Sequence, residues 1–464
     1  MKHAAFCKAQ LYFTVPVVTL MLLTCLLLPS SVVHAHPMSS SLSHGTLARP
    51  YARTYSLLSQ NAVPPTDAGC RAKSHTPCYS PQEMRTIYGL NPLLNAGYDG
   101  AGQTIVIIDS FGSPTLAHDL YAFDRGYGLP DPPSLQIYSP LGSVPFDSSN
   151  SDQTGWAFET TLDVEWAHAM APRANIVVLT SPVSETEGVQ GMPEFLKLEQ
   201  YALKRHIGSI ISQSWGATEN TLFSPAGKAI LNAYNLFYKQ AASQHVTVLA
   251  SSGDAGVLNQ DEQGKIYPFP TVIFPASSPW VTAVGGTSLY ASTHGHYISE
   301  AIWNNSRGEA TGGGISQYFA EPAYQKSSLN SAPLRSLLKD HRALPDIAYN
   351  ANPSTSILIY LSFFGQKQAG YYTIGGTSEG APQWAGIVAI ANQKAGHPLG
   401  FLNNALYQIG RCACPRNAYH DVTHGGNGSG NQPGYPARVG WDAATGWGTP
   451  NASVLVPALI RLLS

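Results

Sequence analysis

Charge is scarce in this chain of 464 residues: Asp, Glu, Lys and Arg together make up 12%, about half the usual share, and the formal net charge is −2. No basic cluster or arginine-rich helix offers an electrostatic footprint for nucleic acid, so that partner class is set aside. A surface with few carboxylates changes its charge less as pH falls, which suits an acidic medium. Cysteine is also sparse, with six in all. Four of them, Cys70, Cys78, Cys412 and Cys414, lie beyond the N-terminal stretch, an even number that permits disulfides in three connectivities. Cys70 with Cys78 is the expected pair. Cys412 and Cys414 stand too close for an unstrained bridge, and no partner Cys-x-x-Cys or His pair points to a metal there. After the N-terminus no apolar run is long enough to span a bilayer.

What is abundant is glycine and proline, at 43 and 34 positions, within a composition that is 44% hydrophobic. Such a chain forms a loop-rich globular fold with a substantial core. The first 35 residues carry Lys2, His3 and Lys8, then an apolar run, then "SVVHAHP" with an A-x-A-like site, and read as a secretory signal peptide. The expected localisation is secreted and extracellular, with no stable membrane association after cleavage. Residues 36–77 are rich in Ser, Ala, Thr and Pro and read as a linker or short pro-segment, with the globular domain spanning 78–464. In that domain β-branched runs such as "TIVIID" (104–109), "NIVVLT" (175–180) and "VTVLASSGD" (246–254) alternate with helix-length segments. The alternation predicts an α/β fold with a mainly parallel sheet.

Two GGTS stretches place serines at Ser288 and Ser378. Ser378 precedes "EGAPQWAGIVAIANQ", a buried-helix pattern with Pro382 in its first turn, so it can serve as a nucleophile beside a helix N-terminus or simply as an N-cap. Ser288 has no helix after it and reads as a strand-end turn. A nucleophile needs a base. In a subtilisin, the arrangement suggested by "GTSEGAPQWAG", an Asp on the first strand is followed by a histidine motif. Asp109 could supply the first part, but no such motif follows it, and His168 is the nearest candidate. Glu159 and Asp163 in "GWAFETTLDVEW" are four apart, so they share one helical face and can share a proton. A carboxyl pair is therefore a second candidate base. Asp254 ends the strand "VTVLASSGD" between Gly253 and Gly256, either lining a site or forming a turn.

Together these pieces resemble the sedolisin family of serine-carboxyl peptidases, secreted acid proteases with a subtilisin-like fold. The motifs are E-x-x-L-D (159–163), "SQSWG" (212–216), "SSGDAG" (251–256), "FPASSPWVTAVGGTSL" (274–289), "ATGGGIS" (310–316), "LPDIAYNANP" (344–353), the "GTS…P" at Ser378, and "GWDAATGWGTP" (440–450). The resemblance implies a nucleophile at Ser378, a general base at Glu159, its orienting partner at Asp163, and a donor to the oxyanion at Asp254. A glutamic acid with a pKa of about 4 to 5 suits acid, where histidine is protonated, and Asp254 can donate only as the neutral acid.

The same resemblance implies one Ca2+ held by the carboxylates of Asp421 and Asp442 and the carbonyls of Val422, Arg438 and Gly440, oxygen ligands that suit a hard cation. Ser212, Ser214, Trp215 and Gly216 are expected along the cleft, their backbone pairing with an extended peptide. Substrates would be polypeptides, cut internally or as N-terminal tripeptides, and the protein a monomer. Two other readings stand beside this one: an ordinary subtilisin-like serine protease, and a catalytically silent binding protein on the same fold. Three departures from the family pattern are the short leader, Gly375 where Ser is usual, and Glu379 where Ala is common. The Glu379 carboxylate is expected to raise the pKa values of the site.

Overall fold

The computed structural model describes residues 53–60, 63–305 and 308–464. Residues 1–35, read as a signal peptide, lie outside the described residues, as does the first part of the 36–77 segment.

The strands that build the fold are β1 (Arg53–Ser59), β2 (Thr104–Ser110), β3 (Leu135–Tyr138), β4 (Asn175–Ser181), β5 (Ile210–Gln213), β6 (Thr247–Ser251), β7 (Thr282–Ala291), β8 (Tyr297–Ile302), β9 (Gly314–Ala320), β10 (His341–Leu344), β11 (Ile347–Asn350), β12 (Ser356–Leu361) and β13 (Gly370–Gly375). The main sheet has the order β8-β7-β6-β5-β2-β4-β3, with β11 also pairing β7. Every pairing in it is parallel except the β7–β8 hairpin. This is an α/β architecture with a mainly parallel central sheet, as the alternation predicts.

Side chains alternate across a strand, and the central strands show the consequence. Ile105 and Ile107 of β2 face one core and Val106 and Ile108 the other. Both faces are therefore covered, which is why these strands are continuous apolar runs rather than alternating ones. On one side lie helix α1 (Ser151–Met170) and helix α2 (Gly380–Ala395), packed on each other; on the other lie the helices Met192–Lys204 and Pro225–Ser243. Helix α1 starts where Asn150 accepts from the N–H groups of Asp152 and Gln153, and it is buried from Trp156 through Met170.

A second sheet has β1 antiparallel to β13, β13 antiparallel to β12, and β12 parallel to the short strand Cys78–Tyr79. The described part of the 36–77 segment thus contributes a strand and the helix Asp67–Ser74. Cys70 and Cys78 are disulfide-bonded, with Cα atoms 5.9 Å apart, while Cys412 and Cys414 are free and exposed. Ser288 differs from its expected strand-end turn. It sits inside the ten-residue β7, where Asn352 donates to its Oγ over 2.8 Å, because the "GGTS" run continues the strand on to the β8 hairpin.

Candidate active site

Strand β13 leads into Gly376, at φ 133°, then into a short turn Thr377–Glu379, and only then into α2. A side chain strongly disfavours that backbone, so glycine is what allows the strand to break there. The residue capping α2 is Glu379, with no side-chain cap, so Ser378 is not an N-cap. Its hydroxyl is buried and has no hydrogen-bond partner among the described residues. The turn packs directly against α1, the helix carrying Glu159 and Asp163.

Both acids are fully buried, at 0% exposure. Ser214 donates to Asp163 Oδ1 over 2.8 Å. Burial holds the Asp163 carboxyl well above its ordinary range, and the neighbouring charges of Asp109 and Glu159 push it further up. Asp109, at the end of β2, is itself pushed up to about 7 by burial. The sequence offered Asp109 only as the remnant of a subtilisin-like triad; its proximity to Asp163 comes from α1 packing on β2, a tertiary contact that no local pattern announces.

Asp254 follows β6. Its Oδ1 accepts from both the N–H and the hydroxyl of Thr377, each over 2.8 Å, and the same hydroxyl accepts from Gly253 N–H over 3.0 Å. The residue immediately before Ser378 therefore clamps Asp254. Thr377 was not singled out in the sequence, although its place in "GTS" was the available signal.

Other expectations are sorted by the same geometry. His168 is buried against Asp124, 3.2 Å away, and its Nε2 lies 2.8 Å from the carbonyl of Pro130; these contacts tie it to the helix Leu116–Tyr127 and the loop after it rather than to Ser378. Glu379 is held by Asn350, which donates to its Oε1 over 2.9 Å, and the charges acting on Asp163 are those of Asp109 and Glu159. Helical geometry explains this, since adjacent residues in a turn point to different sides. Burial keeps the Glu379 carboxyl well above its usual range. Ser212 lies within β5, and the Trp215 ring stacks on Phe195 at 4.3 Å inside the core, leaving the backbone of 214–216 as the part that can face a peptide.

At the C-terminal loops, Gly440 N–H donates to Asp421 Oδ2 over 2.9 Å and Arg438 N–H to Asp442 Oδ2 over 3.2 Å, so one loop joins both carboxylates. Burial pushes Asp442 up to about 6, against the hydrogen bonds it accepts from Ala444, Thr445 and Arg438. Among the described residues no cluster of three or more His, Cys, Asp or Glu side chains forms a metal site. Two carboxylates supplemented by backbone carbonyls nevertheless fit a hard divalent cation.

The model of the subtilase family matches residues 151–408. Kumamolisin from Bacillus sp. (strain MN-32) is 34% identical over 423 residues, covering 90% of this chain and 70% of its own length. The chain belongs to the sedolisin family. Sedolisin from Pseudomonas sp. (strain 101) is 31% identical, covering 83% of this chain and 61% of its own, so this chain spans less than two thirds of that relative. A solved sedolisin complexed with pseudo-iodotyrostatin superposes with a TM-score of 0.68 at 31% identity, covering 83% of this chain and 99% of that one. Rat tripeptidyl-peptidase 1 is 29% identical over 65% of this chain and 52% of its own. Sedolisin-family proteins are serine-type peptidases, hydrolases with the α/β architecture described above.

Proposed function

We propose that this chain is a secreted, acid-active serine-carboxyl peptidase in which Ser378 attacks the scissile carbonyl. Glu159 takes the Ser378 proton and returns it to the leaving amine, Asp163 orients Glu159, and Asp254 donates to the oxyanion as the neutral acid. The observation that carries this reading is the buried Ser378 hydroxyl, unengaged among the described residues, on a turn packed against the acid-bearing helix α1 and clamped to Asp254 through Thr377. Loss of protons at high pH would remove the oxyanion donor, and gain of protons at low pH would remove the base, so activity is confined to acid. The ordinary subtilisin reading loses its support with His168 engaged elsewhere.

The substrate is a polypeptide whose backbone pairs with residues 214–216. Ca2+ would be held by Asp421, Asp442 and the carbonyls of Val422, Arg438 and Gly440, and it would fix the C-terminal loops rather than take part in the chemistry. No described helix is long and apolar enough to cross a membrane, and secretion rests on the leader read in the sequence. The domain is taken as 78–464, acting as a monomer.

The test is hydrolysis of casein and of peptide mixtures from about pH 3 to about pH 8, with product lengths separating internal cleavage from tripeptide release. Cleavage limited to acid and abolished in Ser378→Ala and in Glu159→Gln is expected. Activity near pH 8 that survives Glu159→Gln would overturn the assignment of the base, and a folded, inert chain would favour the binding-protein reading.

A further inference from the structure

A cavity of about 870 Å³ is walled by Phe269, Ile315, Gln317, Lys339, His341 and Tyr435 among others. Two chains of contacts tie it to the candidate active site. Gly312 N–H donates to the Gly253 carbonyl over 2.6 Å, and Ser252 Oγ donates to the Gly312 carbonyl over 2.8 Å, which sets the start of the "GGGIS" segment against the residue preceding Asp254. Three residues of extended chain span at most about 10 Å, so Ile315 lies no farther than that from Gly312. On the other side, buried Glu219, which closes "SQSWGATE", accepts from Ser316 Oγ, Gln317 N–H and Tyr318 N–H over 2.7, 2.7 and 3.1 Å. The cavity wall is thus pinned to the segment expected to pair with substrate.

The lining is chemically one-sided. It holds one ammonium, Lys339, and one imidazole, His341, with hydroxyl and amide groups from Ser316, Ser336 and Gln317, and no carboxylate. Two acids stand behind that lining and both are engaged: Glu219 accepts from Ser316 and Gln317, and Asp340 is paired with Arg335 at 2.6 Å and Lys326 at 3.8 Å. His341 is one of the lining residues, with its Nδ1 buried in the wall. Phe269, Ile315 and Tyr435 supply an apolar wall for the methylenes of a side chain.

We propose that this cavity is a substrate subsite that selects a peptide side chain ending in a carboxylate. The inference rests on the peptidase reading above and adds the class of substrate residue to it. Lys339 and His341 recognise the charge, and the aromatic and aliphatic wall favours glutamate's longer stem over aspartate's.

The experiment compares kcat/KM for peptides that carry Glu, Gln, Lys or Leu at each position flanking the scissile bond. At one position the wild-type chain is expected to prefer Glu over Gln by about tenfold, the scale of a charged hydrogen bond. Lys339→Glu should reverse that ratio and His341→Leu should weaken it, both leaving the Gln peptide within about twofold of wild type. No Glu preference at any position, or a preference that survives both substitutions, would overturn the proposal. Binding of the same Glu and Gln peptides to the Ser378→Ala chain reads the subsite without turnover: equal affinities sink the subsite, whereas a Glu preference in binding with no cleavage by the wild-type chain sinks the peptidase reading alone.

Discussion

The hydroxyl of Ser214 donates to the buried carboxylate of Asp163 over 2.8 Å, joining the end of β5 to the acid pair on α1. The bond stabilises the charged form and offsets part of what burial and the charges of Asp109 and Glu159 do. In Ser214→Ala the Asp163 carboxyl therefore titrates higher still. The acid limb of the kcat/KM profile is expected to move to higher pH, with kcat falling about tenfold. An unmoved acid limb would separate Ser214 from the titrating pair.

Thr377 holds Asp254 by two hydrogen bonds, one of them from its side chain. Thr377→Val removes the hydroxyl at nearly constant volume and leaves the backbone bond in place. A fall in kcat of about 10- to 100-fold with KM little changed is expected, and Thr377→Ser should restore most of it.

Stability should fall as pH rises. Burial raises the carboxyls of Glu165, Glu185 and Glu199 well above their ordinary values, and Asp109 and Glu187 to about 7. A carboxyl whose folded pKa exceeds its unfolded one binds its proton more tightly in the native state. Its contribution is complete below the unfolded value of about 4 and disappears as pH passes through the folded value. Thermal melts should therefore show the highest Tm in acid and a decline through neutrality. Glu199→Gln, distant from Ser378 and bonded to the Tyr238 hydroxyl at 3.2 Å, should make that decline shallower.

If Asp421 and Asp442 hold an ion, chelation should lower Tm, and excess Ca2+ should restore it. Asp442→Ala should melt at the lower temperature with or without chelator. A wild-type Tm indifferent to chelator and to added Ca2+ would remove the ion from the account.

His168 and Asp124 are both buried 3.2 Å apart, so removing one partner leaves a buried polar group unsatisfied, at a cost of about 1 to 3 kcal/mol. His168→Gln should lower Tm and leave the shape of the pH–rate profile as it was. Loss of a limb of that profile would restore His168 as a candidate base.

The parallel sheet was legible because strands buried on both faces must be apolar throughout, as "TIVIID" and "NIVVLT" are. The co-location of Glu159 and Asp163 was legible because i and i+4 share a face on any helix. What escaped were contacts set by how elements pack. Asp109 acts on Asp163 only because α1 lies on β2, and Glu379 turns toward Asn350 because the chain tightens into a turn before α2. Ser288 was misplaced for a different reason: Gly-Gly normally marks a turn, yet in β7 a Cβ on Gly285 or Gly286 would meet Pro345 or Ala351 at 2.6 Å, so these glycines serve close packing within a strand.

The Cys70–Cys78 bridge spans the stretch 72–75, which is exposed. A protease that nicks the chain there would produce two polypeptides, yet the sulfur link would keep the upstream piece attached, with β1 still paired to β13, the strand that delivers Ser378. Such a nicked molecule would run as one species on a gel without reductant and as two with it, so a new N-terminus found by sequencing would not mean that the preceding residues had left.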